Sequence, residues 1–321
     1  MKKSTKIWLI VAASLLIAGC MLFVGVMNMI KWNFSKLATV QFETNTYDIE
    51  NDFSNICIST DTADVSIIKS DNGKCYVECD ESAKLKYTIS TNGTSLEIKL
   101  VDTRGWYNYI GIFNGTPKLT LYLPEGEYQA LNIKNNTGLT SVSDSFNFEN
   151  IDVTSTTGYI KCYASASGNI KLHASTGHIY ASDVTANNID IRVSTGHVSL
   201  VNISAAGDIR INVSTGKSLL ENVTCNNFSS EGGTGDFNAI NFTVNGKLDM
   251  ERSTGDIKID YLSAGEVDID TDTGDVNITL VKEMTVYAET DTGKLDYPRF
   301  MQGGKCEIET DTGDVKVAFV G

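Results

Sequence analysis

The side chains best placed for chemistry are carboxylates that recur at fixed distances from a repeated Thr-Gly pair. Four residues before the glycine stand Glu251, Asp270, Glu289 and Glu309, and two before it stand Asp272, Asp291 and Asp311, after Ser253. Six before it come Asp249, Asp268, Tyr287 and Glu307. Closely spaced carboxylate oxygens are what Ca²⁺ prefers, since it takes six to eight oxygen ligands in flexible geometry. Asp270, Asp272, Glu289, Asp291, Glu309 and Asp311 therefore form a candidate face for weak Ca²⁺ binding. The competing reading is a solvated acidic face that keeps a wall-facing protein soluble and clear of anionic polymers. Like charges one repeat apart repel by about 1 kcal/mol per pair in a water-like dielectric. Earlier repeats avoid that cost by using Ser. Upstream, the same positions read Lys171/His173, Asp190/Arg192 and Arg210/Asn212, so the face changes from basic to acidic along the chain.

The only histidines are His173, His178 and His197. His178 and His197 follow the repeated glycine in consecutive units and should stack one unit apart, with Asp183 and Asp190 as helpers if the turns bring them near. No third ligand of that kind recurs beside them, so a solvated ladder competes with a metal pair. Gly-x-Ser-x-Gly, His-Glu-x-x-His, Cys-x-x-Cys and the phosphate-binding Gly-x-x-x-x-Gly-Lys-Ser/Thr are absent from the sequence. No residue is assigned to catalysis and no resident cofactor is expected. Seven cysteines are an odd number and build no framework. Cys162 and Cys306 occupy inward positions as small core residues. Cys75 and Cys79 are too far apart along one strand to bridge each other comfortably, and a bridge from Cys57 to one of them is the lesser alternative to unpaired cysteines.

What positions these groups is a repeat. Thr-Gly pairs end at Gly138, Gly158, Gly177, Gly196, Gly216, Gly235, Gly255, Gly274, Gly293 and Gly313, in steps of 19 or 20 residues. Apolar residues fall seven and five before the glycine (Ile170/Leu172, Ile189/Ile191, Ile209/Ile211). They fall again two and four after it (Val198/Leu200, Ile257/Ile259, Val276/Ile278). A further apolar column lies seven after it, from Val184 to Val281 and Phe300. Spacing of two with polar residues between marks half-buried strands, and a unit this short buries its apolar side only by stacking on the next. The pattern predicts an all-β, single-stranded parallel β-solenoid (β-helix) of 19–20-residue coils over 135–321, with the glycine at a tight corner. The acidic columns then lie in successive coils, and the tail carries no obvious cap.

Residues 7–30 hold no charge, enough for a bilayer-spanning helix. Lys2, Lys3 and Lys6 precede it, and Lys31 and Lys36 follow. The expectation is one transmembrane helix within residues 1–36, N-terminus cytoplasmic, in the cell membrane as a single-pass protein with its C-terminal domain extracytoplasmic. A cleaved signal peptide and a lipoprotein cleaved before Cys20 are the rivals. Residues 37–134 read as a β-rich lead-in or cap, in which Thr60-Asp61-Thr62-Ala63-Asp64-Val65 echoes the later corners. Within it Trp106, Tyr107 and Tyr109 form an aromatic insertion and a candidate binding loop, or a cover over the open end of the stack. The net charge of −14, with 17 acids against 7 bases in 249–321, argues against a nucleic-acid partner.

Leu119-Thr120-Leu121-Tyr122-Leu123-Pro124, leading into Leu131-Asn132-Ile133-Lys134-Asn135-Asn136-Thr137-Gly138, resembles the "putative adhesin", β-strand-repeat family of bacterial surface and envelope proteins. The recurring Asp-Thr-Gly-Asp-Val at 272–276 and 311–315 carries the likeness too. The resemblance covers about residues 40–320 and brings no catalytic residues. It implies a non-catalytic, membrane-anchored surface protein, adhesin or interaction scaffold, with an unidentified protein or wall polymer as partner. The alternative is an envelope-stress accessory acting through membrane-proximal partners. A wall-polysaccharide enzyme comes third, because it needs long loops around a cleft that the strict spacing within 135–320 excludes.

Overall fold

The computed structural model describes residues 3–33, 38–50, 52–105, 112–113, 115–299 and 302–320. It is a parallel β-solenoid preceded by one helix. The helix, Lys3–Met29, is long and apolar enough to cross a membrane by length and composition, a test that an N-terminal signal sequence also passes.

Consecutive coils pair in parallel with every corner in register: Thr157 with Thr176, Thr176 with Thr195, and Thr195 with Thr215. The strands run straight through these corners, as in Asn169–Ser182 and Asn188–Ala205. Residues seven and five before each glycine, and two and four after it, line the core; Ile170, Leu172 and Ile179 are all buried. Glycine is required at the corner on two counts. Gly196 adopts φ 146°, which L side chains rarely tolerate, and a Cβ there would land on the carbonyl oxygen of Gly177 in the preceding coil.

The rod is extended at its N-terminal end by a coil without the glycine. Asn55–Thr62 and Asp64–Lys69 flank Ala63 at the corner and pair in parallel with Glu127–Val142, Thr62 opposite Thr137. Behind them Ser95–Asp102 and Lys118–Leu123 add one more parallel layer, with no Thr-Gly corner between the two strands. Antiparallel strands then finish the sheets: Leu85–Asn92 on one, Cys75–Glu81 and Glu43–Ile49 on the other. Beside them, Ala38–Val40, which follows the helix, pairs in parallel with Ile112–Phe113.

At the other end the stacking order departs from the chain order. The Gly274 coil pairs with the Gly313 coil, Val267 opposite Cys306 and Val276 opposite Val315. The Gly293 coil lies beyond it, Val286 opposite Cys306 and Leu295 opposite Val315. The last coil in sequence is thus the penultimate one in space. Residues 284–296 cap Gly304–Thr312 and Val315–Lys316, and among the described residues Val317–Phe319 pair only with Ile278–Leu280. The physical reason lies in the second half of each coil. The Gly313 coil offers Val315 and Val317, which its neighbours bury completely or nearly so. The Gly293 coil offers Leu295, which stays exposed, and then Tyr297-Pro298, where proline has no N–H to give a further strand. Interior placement of the first and terminal placement of the second buries the larger apolar set. Val281, expected in the core, is 46% exposed.

Candidate functional site

The acidic columns exist, but in the transposed order. Four residues before the glycine the neighbours are Glu251, Asp270, Glu309 and then Glu289; two before it they are Asp272, Asp311 and Asp291. All six carboxylates of the expected Ca²⁺ face are exposed. Among the described residues, no group of three or more His, Cys, Asp or Glu side chains is gathered closely enough to hold a metal ion. Lysines intervene instead at the neighbouring column. Lys247 Nζ lies 3.4 Å from Asp249 and 2.6 Å from Asp268, and Lys305 Nζ lies 2.5 Å from Glu307. Trp106, Tyr107 and Tyr109 lie outside the described residues.

A second acidic column, directly after the glycine, has a structural task. The Asp256 carboxylate accepts the backbone N–H of Asp275 at 3.0 Å, Asp275 that of Asp314 at 2.8 Å, and Asp314 that of Lys294 at 2.8 Å. The series starts at Asp236, whose side chain takes a hydrogen bond from Lys217 (Nζ–Oδ2 2.8 Å) that holds its carboxyl below the usual range. In the preceding coils the same column is aromatic. The rings of Tyr159 and His178 lie 4.7 Å apart between centroids, and those of His178 and His197 4.8 Å apart. Burial, and secondarily the neighbouring His197, pushes the His178 imidazole below its ordinary value. His197 Nδ1 accepts the N–H of Lys217 at 3.2 Å. Neither proposed helper joins them: Asp183 receives Ser182 and Asn202, and Asp190 receives Arg192.

Two Asx ladders escaped the sequence reading. Six residues after the glycine, Asp183, Asn202, Asn222 and Asn241 all adopt φ near +55 to +59°. Each Asn donates its amide to the residue one coil back, at 2.8–2.9 Å. Such left-handed turns favour Asn and Asp after Gly. Eight residues before the glycine, Asn169 donates to Asn150, Asn188 to Asn169 and Asn227 to Asp208, at 3.2, 3.0 and 2.9 Å. The signal is present in the sequence as Asx recurring at fixed offsets from the glycine.

Arg252 is the other omission. It points into the core three residues before Gly255 and is 2% exposed. Its Nη2 donates to Ser230 Oγ at 3.0 Å, and its guanidinium lies 5.3 Å from the Phe237 ring centroid. Its Nε has no partner, and no carboxylate makes an ion pair with it among the described residues. Burial lowers its pKa to about 10. The room comes from Gly232, where a Cβ would collide with Nη1.

All seven cysteines are free. Cys57 points outward on its strand while Cys75 and Cys79 point into the core, so the alternative Cys57 bridge does not form. Burial pushes the Cys75, Cys79, Cys162, Cys225 and Cys306 thiols up to about 12, which leaves them inert as nucleophiles.

A repeated parallel coil with a Thr-Gly corner and polar outer columns defines a parallel β-solenoid. The chain matches the Toastrack DUF4097 family over residues 53–217 and 204–321, and it belongs to that family. No curated protein matches it. Solved structures similar to it include one described as a "putative adhesin" from Parabacteroides distasonis (11% identity, TM-score 0.48) and one from Parabacteroides merdae (12%, 0.47). A third, from Parabacteroides distasonis, is described as a "putative lipid binding protein" (13%, 0.47). Each alignment covers 87% of this chain and 98% of the other.

Proposed function

We propose that this protein is a non-catalytic surface protein, anchored in the membrane by Lys3–Met29 with the rod on the extracytoplasmic side, that binds other molecules through its sheet faces. The observation that carries the reading is the continuous parallel pairing of the coils from Gly138 to Gly274, with register shifts only at Val244/Lys247 and Ile259/Leu262, which gives a long flat surface and leaves little loop to wall a cleft. Ten Thr-Gly corners at a strand spacing of about 4.8 Å reach roughly 45–50 Å. The antiparallel pairing of Glu43–Ile49, shortly after the helix, with Cys75–Glu81 at the N-terminal end of the rod supports an orientation with the acidic end away from the bilayer.

The test is labelling of a cysteine introduced at Ser214 by a membrane-impermeant maleimide on intact cells. Labelling without lysis supports the orientation; labelling only after lysis overturns it. Adherence of cells lacking the chain, compared with cells expressing it, then tests the surface role. Equal adherence to host matrix, abiotic surfaces and sister cells would sink the adhesive reading.

A further inference from the structure

The face formed by the fourth and sixth residues before each corner glycine changes sign halfway along the rod. In the Gly177, Gly196 and Gly216 coils it carries Lys171, Arg192 and Arg210 against one acid, Asp190. In the Gly255, Gly274 and Gly313 coils the same positions are all carboxylates. The three bases are exposed, and so are Asp249, Asp270 and Glu307. Between the two halves lies the Gly235 coil, with Ser229 and Glu231 on this face.

Consider a second rod turned over about an axis parallel to the strands and passing through the Gly235 coil. That operation reverses the order of coils and keeps each column on its own column. Arg210 then faces Asp249, Arg192 faces Asp270 and Lys171 faces Glu307, and the two-fold axis makes every pair twice. The transposed coils matter here. Because the Gly313 coil, not the Gly293 coil, is third from the centre, Lys171 meets Glu307 and not Tyr287. Two like-charged pairs also meet: Asp190 and Asp268 are each already held by a base of their own chain, Arg192 and Lys247, and Glu231, which meets its own copy on the axis, accepts Asn212 Nδ2 at 3.0 Å.

We propose that this face is an isologous, antiparallel self-association surface whose partner is a second copy of the chain. Seven coils at about 4.8 Å, and five strand residues at about 3.3 Å, give roughly 550 Å² of flat face per copy. The total of roughly 1,100 Å² sits at the lower edge of specific interfaces, so the pairing is weak. Its attraction is carried by exposed charges, so salt suppresses it. Antiparallel rods place their helices at opposite ends. If the chain is anchored as proposed above, the pair would join two facing membranes; the self-association itself does not depend on that reading.

The full chain in detergent micelles tests this by sedimentation velocity. The expected result is a dimer at about 20 mM salt that dissociates at several hundred millimolar, where the Debye length has shrunk to a few ångströms. Lys171→Glu/Arg192→Glu/Arg210→Glu should be monomeric alone, as should Asp249→Lys/Asp270→Lys/Glu307→Lys. A one-to-one mixture of the two should recover the dimer, because each altered half then faces its opposite sign. A monomeric native chain at low salt, or a mixture that stays monomeric, overturns the proposal. Should either variant fail to fold, a spin label at Ser229→Cys on the otherwise native chain decides. Two labels within about 20 Å, as expected across sheets packed about 10 Å apart at the axis, support it, and no short distance overturns it. Vesicles bearing the dimeric chain that fail to cluster would count against the anchored, outward-facing reading alone.

Discussion

Removal of the Glu81 carboxylate would strand several donors at once. Its side chain is fully buried and accepts the Tyr87 amide (2.5 Å), Asn45 Nδ2 (2.6 Å), Tyr47 Oη (2.9 Å) and Lys86 Nζ (3.2 Å). Burial alone would raise its pKa, but these hydrogen bonds together outweigh burial and hold the carboxyl below its ordinary value. A depressed carboxyl contributes stability that is present above the unfolded pKa, about 4.3, and is lost as pH falls through the folded one. Glu81→Gln should therefore flatten the acid limb of a stability–pH curve, and Glu81→Ala should cost on the order of 3 kcal/mol by denaturant titration near neutral pH. Arg252 predicts the opposite sign. A buried guanidinium with no carboxylate partner is replaceable by an apolar side chain of similar length without loss. Arg252→Met should leave Tm unchanged or raise it, whereas Arg252→Ala, which empties the space over Gly232, should lower it by several degrees. Neither residue was legible as special in the sequence. Glu81 reads there as one more strand carboxylate, and Arg252 occupies an inward column that other coils fill with Asn, Ser, Ala, Val, Gly or Thr. Their roles depend on which strands meet across the fold, and periodicity does not encode that.

The corner glycines were legible as elements because one cause repeats ten times. Nine of the ten corner glycines combine the positive φ with the close approach and Gly293 has the close approach alone, so the residue type recurs with the period. The order of the last two coils was not legible, because both offer carboxylates four and two residues before the glycine to either neighbour. Val286 and Ala288 match Cys306 and Ile308 in kind. Only Tyr297-Pro298, where other coils place a small apolar residue and an N–H donor, hinted that the Gly293 coil must end the stack. A cross-link separates the two orders. Adjacent parallel strands at about 4.8 Å bring paired Cα atoms within disulfide range. Val267→Cys should oxidise with the native Cys306, its partner across the ladder. The combination Val267→Cys/Val286→Cys/Cys306→Ser should not cross-link, because the Gly313 coil lies between them. The reverse pattern would restore the sequence order.

At the scale of the whole molecule, stability in a solenoid is close to a sum of coil terms and nearest-neighbour interfaces. That additivity makes a deletion prediction that few globular folds permit. Excision of His197 to Gly216 removes one complete coil of 20 residues and joins Gly196 to Lys217. Every column is then handed on to a compatible residue. Asn222 takes the place of Asn202 opposite Asp183, Asn227 takes the place of Asp208 opposite Asn188, and Ser218 and Leu220 follow on from Ile179 and Ala181. The shortened chain should unfold cooperatively, with the same far-ultraviolet spectrum per residue and a Tm lowered by only a few degrees. Removal of ten residues from the same stretch, Gly207 to Gly216, is the contrasting case. It shifts the following strand by half a coil, sets corner against strand and puts the buried columns out of line, so that chain should fail to fold. Equal behaviour of the two deletions would mean that the rod is not held together coil by coil. The acidic C-terminal coils would then owe their order to something other than the ladders that run through all of them.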